Sequence, residues 1–221
     1  MHTYHEQLLE QVVQERSRLI SRRRLLSGGA SLVAGAAALS LTGPAHIGLA
    51  PAFAQDKPPF KNDVEVLNYA LTLEHLEHAF YRDGVGQFVL GMDPFGMDIA
   101  TRLMAVRDHE AAHVKTLTDV ITQLGGTPVA EATYDFGYTD ANSFLMTAAA
   151  LENTGVSAYD GAAQYLTDKG LLTAAGSIVA IEARHASYLN MITGADPFPE
   201  GFEQAKTPDE ILKIAGPFIK S

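Results

Sequence analysis

From Val64 onward, apolar residues return every three or four positions rather than every second one, and that period predicts helices and no sheet. Val64, Leu67, Leu71 and Phe80 mark a helix from about Asp63 to Arg82, opened by Asn62 and Glu65 in capping-box spacing. Gly84 and Gly86 end it, and Gly91, Pro94 and Gly96 mark an irregular connection. Ile99, Leu103, Val106, Val114, Leu117 and Ile121 carry a second helix from about Met97 to Leu124, stopped by Gly125-Gly126 and Pro128. The stretch from Thr127 to Tyr138 is too long for a tight turn and predicts a crossover along the bundle. A third helix follows from about Asp140 to Asp168. It contains Gly155 and Gly161, which weaken a helix unless close packing needs them. Gly170 is expected to separate it from a fourth helix, about Leu171 to Thr193, closed by Gly194 and Pro197. In the tail, Thr207-Pro208-Asp209-Glu210 opens a short helix with a capping hydroxyl, a first-turn proline and a returning carboxylate. The predicted fold class is all-α: a four-helix bundle over residues 55–200 with a crossover connection, and a short C-terminal helix in residues 201–221.

Residues 1–54 have a different character. Ser21-Arg22-Arg23-Arg24-Leu25-Leu26 precedes an apolar, small-residue run from Gly28 to Leu41, and Ala52-Phe53-Ala54 fits a signal-peptidase site. This pattern is an export signal, and its paired arginines resemble the twin-arginine type, whose machinery carries folded proteins. The alternatives are a general secretory signal or a retained membrane anchor; an uncleaved signal is the only membrane contact expected. Export places the protein in the periplasm or outside the cell.

The leader takes five Arg and three Glu with it, leaving 167 residues with 11 basic against 23 acidic side chains. So acidic a chain, without a basic patch, excludes nucleic-acid binding. With no cysteine in the sequence, the exported fold must be held by core packing or by metal.

Two Glu-x-x-His sequences, Glu110-Ala111-Ala112-His113 and Glu182-Ala183-Arg184-His185, lie in different helices. At that spacing the carboxylate and imidazole share one helix side and can bind the same ion. The other two helices carry Glu74 and Glu152 on apolar stripes, each followed seven residues later by a tyrosine, Tyr81 and Tyr159. The order Glu-x6-Tyr, Glu-x-x-His, repeated once, is an internal duplication of a helix pair. Four carboxylates turned into one core repel one another and lose hydration, costing several kcal/mol per unpaired ion. Two divalent cations would balance them. Without metal, strongly raised pKa values are expected for some of these glutamates. Glu77 and His78 lie within about 60° of Glu74 on the helix wheel and are expected beside the site or partly exposed. His75 and His109 point off their stripes and are expected at the surface. The scattered methionines, Met92, Met97, Met104, Met146 and Met191, are expected to serve packing.

One glutamate from each of two helices plus Glu-x-x-His from each of the others resembles the ligand set of ferritin-like di-iron and di-manganese proteins. Leu73-Glu74-His75-Leu76-Glu77 through Phe80-Tyr81, with the tail Ile211 to Ile219, is similar to exported ferritin-like domain proteins related to desiccation-related proteins. The resemblance implies two Fe or Mn ions on Glu74, Glu110, His113, Glu152, Glu182 and His185, with Glu110 and Glu182 bridging. Glu77, His78, Tyr81 and Tyr159 would stand behind these ligands. The resemblance leaves the function open; the leading expectation is redox chemistry on dioxygen, peroxide or ferrous iron, of ferroxidase or manganese-catalase type if the protein is an enzyme. The alternatives are a non-enzymatic, metal-stapled stress protein or an iron-sequestering binder, either of them open to homo-oligomer formation.

Overall fold

The computed structural model describes residues 59–220, so the expected export signal and its expected cleavage site lie outside the described residues. Four long helices, α1 (Asp63–Gly84), α2 (Ile99–Gln123), α3 (Ala141–Ala163) and α4 (Lys169–Thr193), precede a short α5 (Pro208–Ala215) and a 3₁₀ turn (Gly216–Phe218). No strand longer than an isolated bridge occurs among the described residues. None of the described helices is long and apolar enough to cross a membrane. The helices pack as two pairs, α1 with α2 and α3 with α4, and the pairs meet where α1 faces α3.

The crossover runs the length of α1. Asn68, near the start of α1, donates to the Thr127 carbonyl and accepts from the Val129 amide. Arg82, near its end, pairs with Glu131 at 2.8 Å. There Phe80 stacks on Phe144 with ring centres 4.7 Å apart and meets Phe136 and Tyr138 edge-on. The C-terminal segment closes over this strap: Asp135 donates its amide to the Phe218 carbonyl, and Lys220 donates its amide to that of Thr133. His75 belongs to the same seam, with Nε2 3.2 Å from the Val129 carbonyl, so it is a strap contact and not the surface residue expected.

Two helix boundaries and one cap differ from the sequence reading. α3 ends at Ala163, five residues early, because Asp168 caps the next helix instead of closing this one. The Asp168 carboxylate accepts from the amides of Gly170 and Leu171, which places Gly170 inside the first turn of α4 and not between helices. Asp63 anchors the turn by accepting from the Thr167 and Asp168 amides. At Asn62 the cap is one-sided: its side chain accepts from the Glu65 amide, but Glu65 returns to Lys61. The Thr207–Glu210 capping box is complete.

Both α3 glycines sit at close approaches, against backbone at Gly161 and against glutamate side-chain tips at Gly155. A Cβ on Gly161 would lie 1.8 Å from the Lys206 carbonyl oxygen, where the chain entering α5 crosses the helix. A Cβ on Gly155 would lie 2.9 Å from Glu77 Oε1. The methionines depart from expectation: Met92, Met97, Met104 and Met146 are exposed, on loops or outer helix faces.

Candidate metal centre

Each long helix contributes to one buried acidic cluster. α1 supplies Glu74, α2 supplies Glu110 and His113, α3 supplies Glu152, and α4 supplies Glu182 and His185. All four carboxylates are fully buried, and the imidazoles are 4% and 5% exposed. The duplicated halves therefore meet at their polar interruptions, and the same helical spacing that lines up the core leucines brings the ligand-type residues together.

Both histidines turn Nδ1 inward. His113 Nδ1 lies 3.1 Å from Glu74, 3.0 Å from Glu110 and 3.0 Å from Glu182. His185 Nδ1 lies 3.1 Å from both Glu110 and Glu152. An imidazole nitrogen ringed by two or three carboxylate oxygens has at most one proton to share among them. Glu110 Oε1 and Glu182 Oε1, although 3.1 and 3.0 Å from imidazole nitrogen, are accordingly left without a hydrogen-bond partner, and Glu182 Oε2 has none either. Buried acceptors of this kind cost free energy unless a cation completes them. Two sets of four donors lie within 4.8 Å of one another: Glu74, Glu110, His113 and Glu182 form one, and Glu110, Glu152, Glu182 and His185 the other. Either set could hold a metal ion, and Glu110 and Glu182 belong to both.

The tyrosines hold the terminal carboxylates in a crossed pattern. Tyr81 on α1 donates to Glu152 on α3 at 2.6 Å, and Tyr159 on α3 donates to Glu74 on α1. On the sequence, each tyrosine shares a helix face with its own helix's glutamate. The partners lie on opposite helices because antiparallel α1 and α3 bring each tyrosine level with the other helix's glutamate.

Ionisation follows the crowding. Burial, then the charges of Glu110, Glu152 and Glu74, push the Glu182 carboxyl well up. Burial also raises Glu110 to about 7, against the lowering effect of the neighbouring His113 and His185 imidazoles. Glu74 moves down: burial works against it, but the charge and hydrogen bond of His113 outweigh burial. His185 rises to about 10, because Glu152 and its hydrogen bonds overcome the burial that would lower it. His113 rises further, against burial and through Glu74, Glu110 and Glu182. Tyr81 and Tyr159 are raised first by burial and then by their glutamate partners.

Two neighbours are placed differently from the sequence reading, and a third makes a contact that reading did not foresee. Glu77 is 3% exposed, inside the cluster, where burial and the charges of the other glutamates raise its carboxyl strongly. His78 does not reach the site; its charged neighbours are Arg82, Glu131, His75 and Asp83 on the strap side of α1. His109 is exposed, as expected, and also reaches the edge of the site: its Nδ1 lies 2.9 Å from His185 Nε2, and the two rings stack 5.2 Å apart. Burial, then the positive charges of His185 and His113, hold its pKa down. Nothing in the spacing of α2 alone signals that contact, which depends on where α4 passes.

No curated protein matches this chain. A solved structure similar to it is a conserved hypothetical protein, rv2844, from Mycobacterium tuberculosis, at 20% identity and a TM-score of 0.51, covering 62% of this chain and 94% of that one. That likeness concerns the fold alone. A family model described as a ferritin-like domain matches residues 62–195, the span that contains all four long helices and every residue of the buried cluster. The chain belongs to the ferritin-like domain family.

Proposed function

We propose that this protein is exported and holds two iron or manganese ions on Glu74, Glu110, His113, Glu152, Glu182 and His185. In this reading its activity is redox chemistry on dioxygen, peroxide or ferrous iron. The supporting observation is the set of buried carboxylate oxygens on Glu110 and Glu182 that no proton donor satisfies. Oxygen-rich donors with one imidazole per position suit iron and manganese alike. Such a pair, if held on these residues, would supply two-electron exchange with an O–O bond, with ferrous iron contributing one electron per ion.

The chain's own residues hold and orient. Glu110 and Glu182 are the shared carboxylates, and Glu74 and Glu152 are the terminal ones. Tyr81 and Tyr159 fix the terminal carboxylates by donating to one oxygen of each. With its Nδ1 free of a proton, His185 donates Nε2–H to His109, which sets the ring's orientation and basicity. The apolar walls, among them Leu71, Leu103, Ile121 and Leu189, keep bulk water out. The paired-arginine leader supports export, with metal loaded before translocation if the twin-arginine route is used.

Elemental analysis of the purified native protein, coupled to peroxide-dismutation and ferrous-oxidation assays, tests this reading. About two Fe or Mn per chain with turnover in either assay is the expected result. Protein without metal, whose Glu110→Gln and Glu182→Gln variants are unchanged in stability, refutes it. Full metal occupancy with no turnover and a large melting loss on chelation would favour the metal-stapled stress protein. Iron taken up far beyond two ions, in a large hollow assembly, would favour sequestration.

A further inference from the structure

The duplication that builds the centre is broken at one position. Aligning Glu74 and Tyr81 of α1 with Glu152 and Tyr159 of α3 places Glu77 opposite Gly155. One half thus carries a carboxylate where the other carries no side chain. The two facts are coupled in space, since a Cβ on Gly155 would lie 2.9 Å from Glu77 Oε1 and 3.3 Å from Glu182 Oε2. Both carboxylates converge on the hollow that glycine leaves. Glu182 has no hydrogen-bond partner for either oxygen there.

Glu77 also leans away from its own helix's ligand set. Its Oε1 approaches α3 at Gly155, one helical turn beyond Glu152, with Glu182 Oε2 beside the same hollow. It therefore sits toward the Glu110, Glu152, Glu182 and His185 set. A glutamate 3% exposed, facing four others, is a costly placement for packing alone. Leucine would fill the same space without charge.

We propose that Glu77 is a fifth carboxylate donor serving the metal position on the Glu152–His185 side, and that it makes the two positions unequal. The inference rests on the dinuclear reading above and adds to it a difference between the two ions. The Glu74–His113 position has three carboxylates and one imidazole. The Glu152–His185 position has those plus Glu77, which can swing on a flexible side chain into or out of contact across the Gly155 hollow. Five carboxylates against two divalent ions leave one negative charge over, which favours the more highly charged ion at that position.

Manganese(II) titration of the metal-free purified protein, followed by calorimetry and by electron paramagnetic resonance, tests the proposal. The wild type should fill two positions with distinct affinities. Glu77→Gln, nearly isosteric, should weaken one step about tenfold or more and leave the other step nearly unmoved. Glu152→Gln should abolish the step that Glu77→Gln weakens. If Glu77→Gln titrates like wild type in both steps, the proposal is overturned while the dinuclear reading stands. If wild type binds no metal, both fall together. A crystal structure of manganese-loaded wild type decides the point without any variant. A Glu77 oxygen about 2 Å from the Glu152–His185 ion supports the assignment, and one beyond hydrogen-bond distance of both ions refutes it.

Discussion

Neutralising Glu110 should have opposite effects with and without metal, and the sign can be worked out from the site. In the metal-free protein the Glu110 carboxyl sits at about 7 against an ordinary 4.5, with burial the main cause. An acid raised in this way costs nothing below its ordinary value and its full penalty above the folded one. Stability therefore falls between about pH 4.5 and about pH 7, by a total of about 3 kcal/mol from this group. His185 adds a slope of the same sign. Raised from 6.5 to about 10, it contributes stability that is whole below its unfolded value and is lost as pH climbs toward the folded one. Glu74, lowered by His113 against its burial, contributes stability above its ordinary value that is lost in acid, so the metal-free optimum lies near pH 5. Glu110→Gln should match the metal-free wild type near about pH 5. At about pH 8 it should melt higher by about 6–12 °C, from about 2–4 °C per kcal/mol for a domain of this size. With iron or manganese supplied, the order should reverse, because the variant loses a shared carboxylate. Differential scanning calorimetry on chelated and metal-loaded samples at both pH values measures all four cases. A metal-free wild type whose melting temperature is flat from about pH 5 to about pH 8, or a metal-free variant that melts below it at the higher pH, would refute the reasoning.

Three further outcomes follow from particular contacts. Tyr81→Phe removes the donor to Glu152 in a fully buried setting and should cost about 1–3 kcal/mol in denaturant unfolding, with Tyr159→Phe costing a similar amount through Glu74. Unequal losses would show that the crossed pairing is not symmetric in energy. Gly161→Ala drives a methyl into the Lys206 carbonyl and should release α5 from α3, seen as faster amide exchange at Ile211 and Ala215 and a stability loss above about 2 kcal/mol. Asp63→Ala strips the anchors from the Thr167 and Asp168 amides and should cost about 1–2 kcal/mol by thermal melting, leaving metal content unchanged.

The sequence alone determined the four helices, the crossover, the tail helix and the buried cluster of glutamates and histidines. All of these follow from a period of 3.6 residues, and residues that share a helix face share a fate: Leu103, Val106, Glu110, His113 and Leu117 entered the core together. Asp168 was harder, because a carboxylate between two helical runs can end one or begin the other, and only the path of the chain past Asp63 decides which. Contacts between helices were decided by tertiary structure. Tyr81 reaches Glu152 and not Glu74 because the antiparallel packing of α1 against α3 sets their relative height, which no single helix encodes. His109 meets His185 for the same kind of reason, through the approach of α4 to the outer side of α2. Glu77 lay between the two cases: its face was readable on α1, but its burial required the hollow at Gly155 on another helix. Helical periodicity says which way a side chain points, and the docking of helices determines what it finds there.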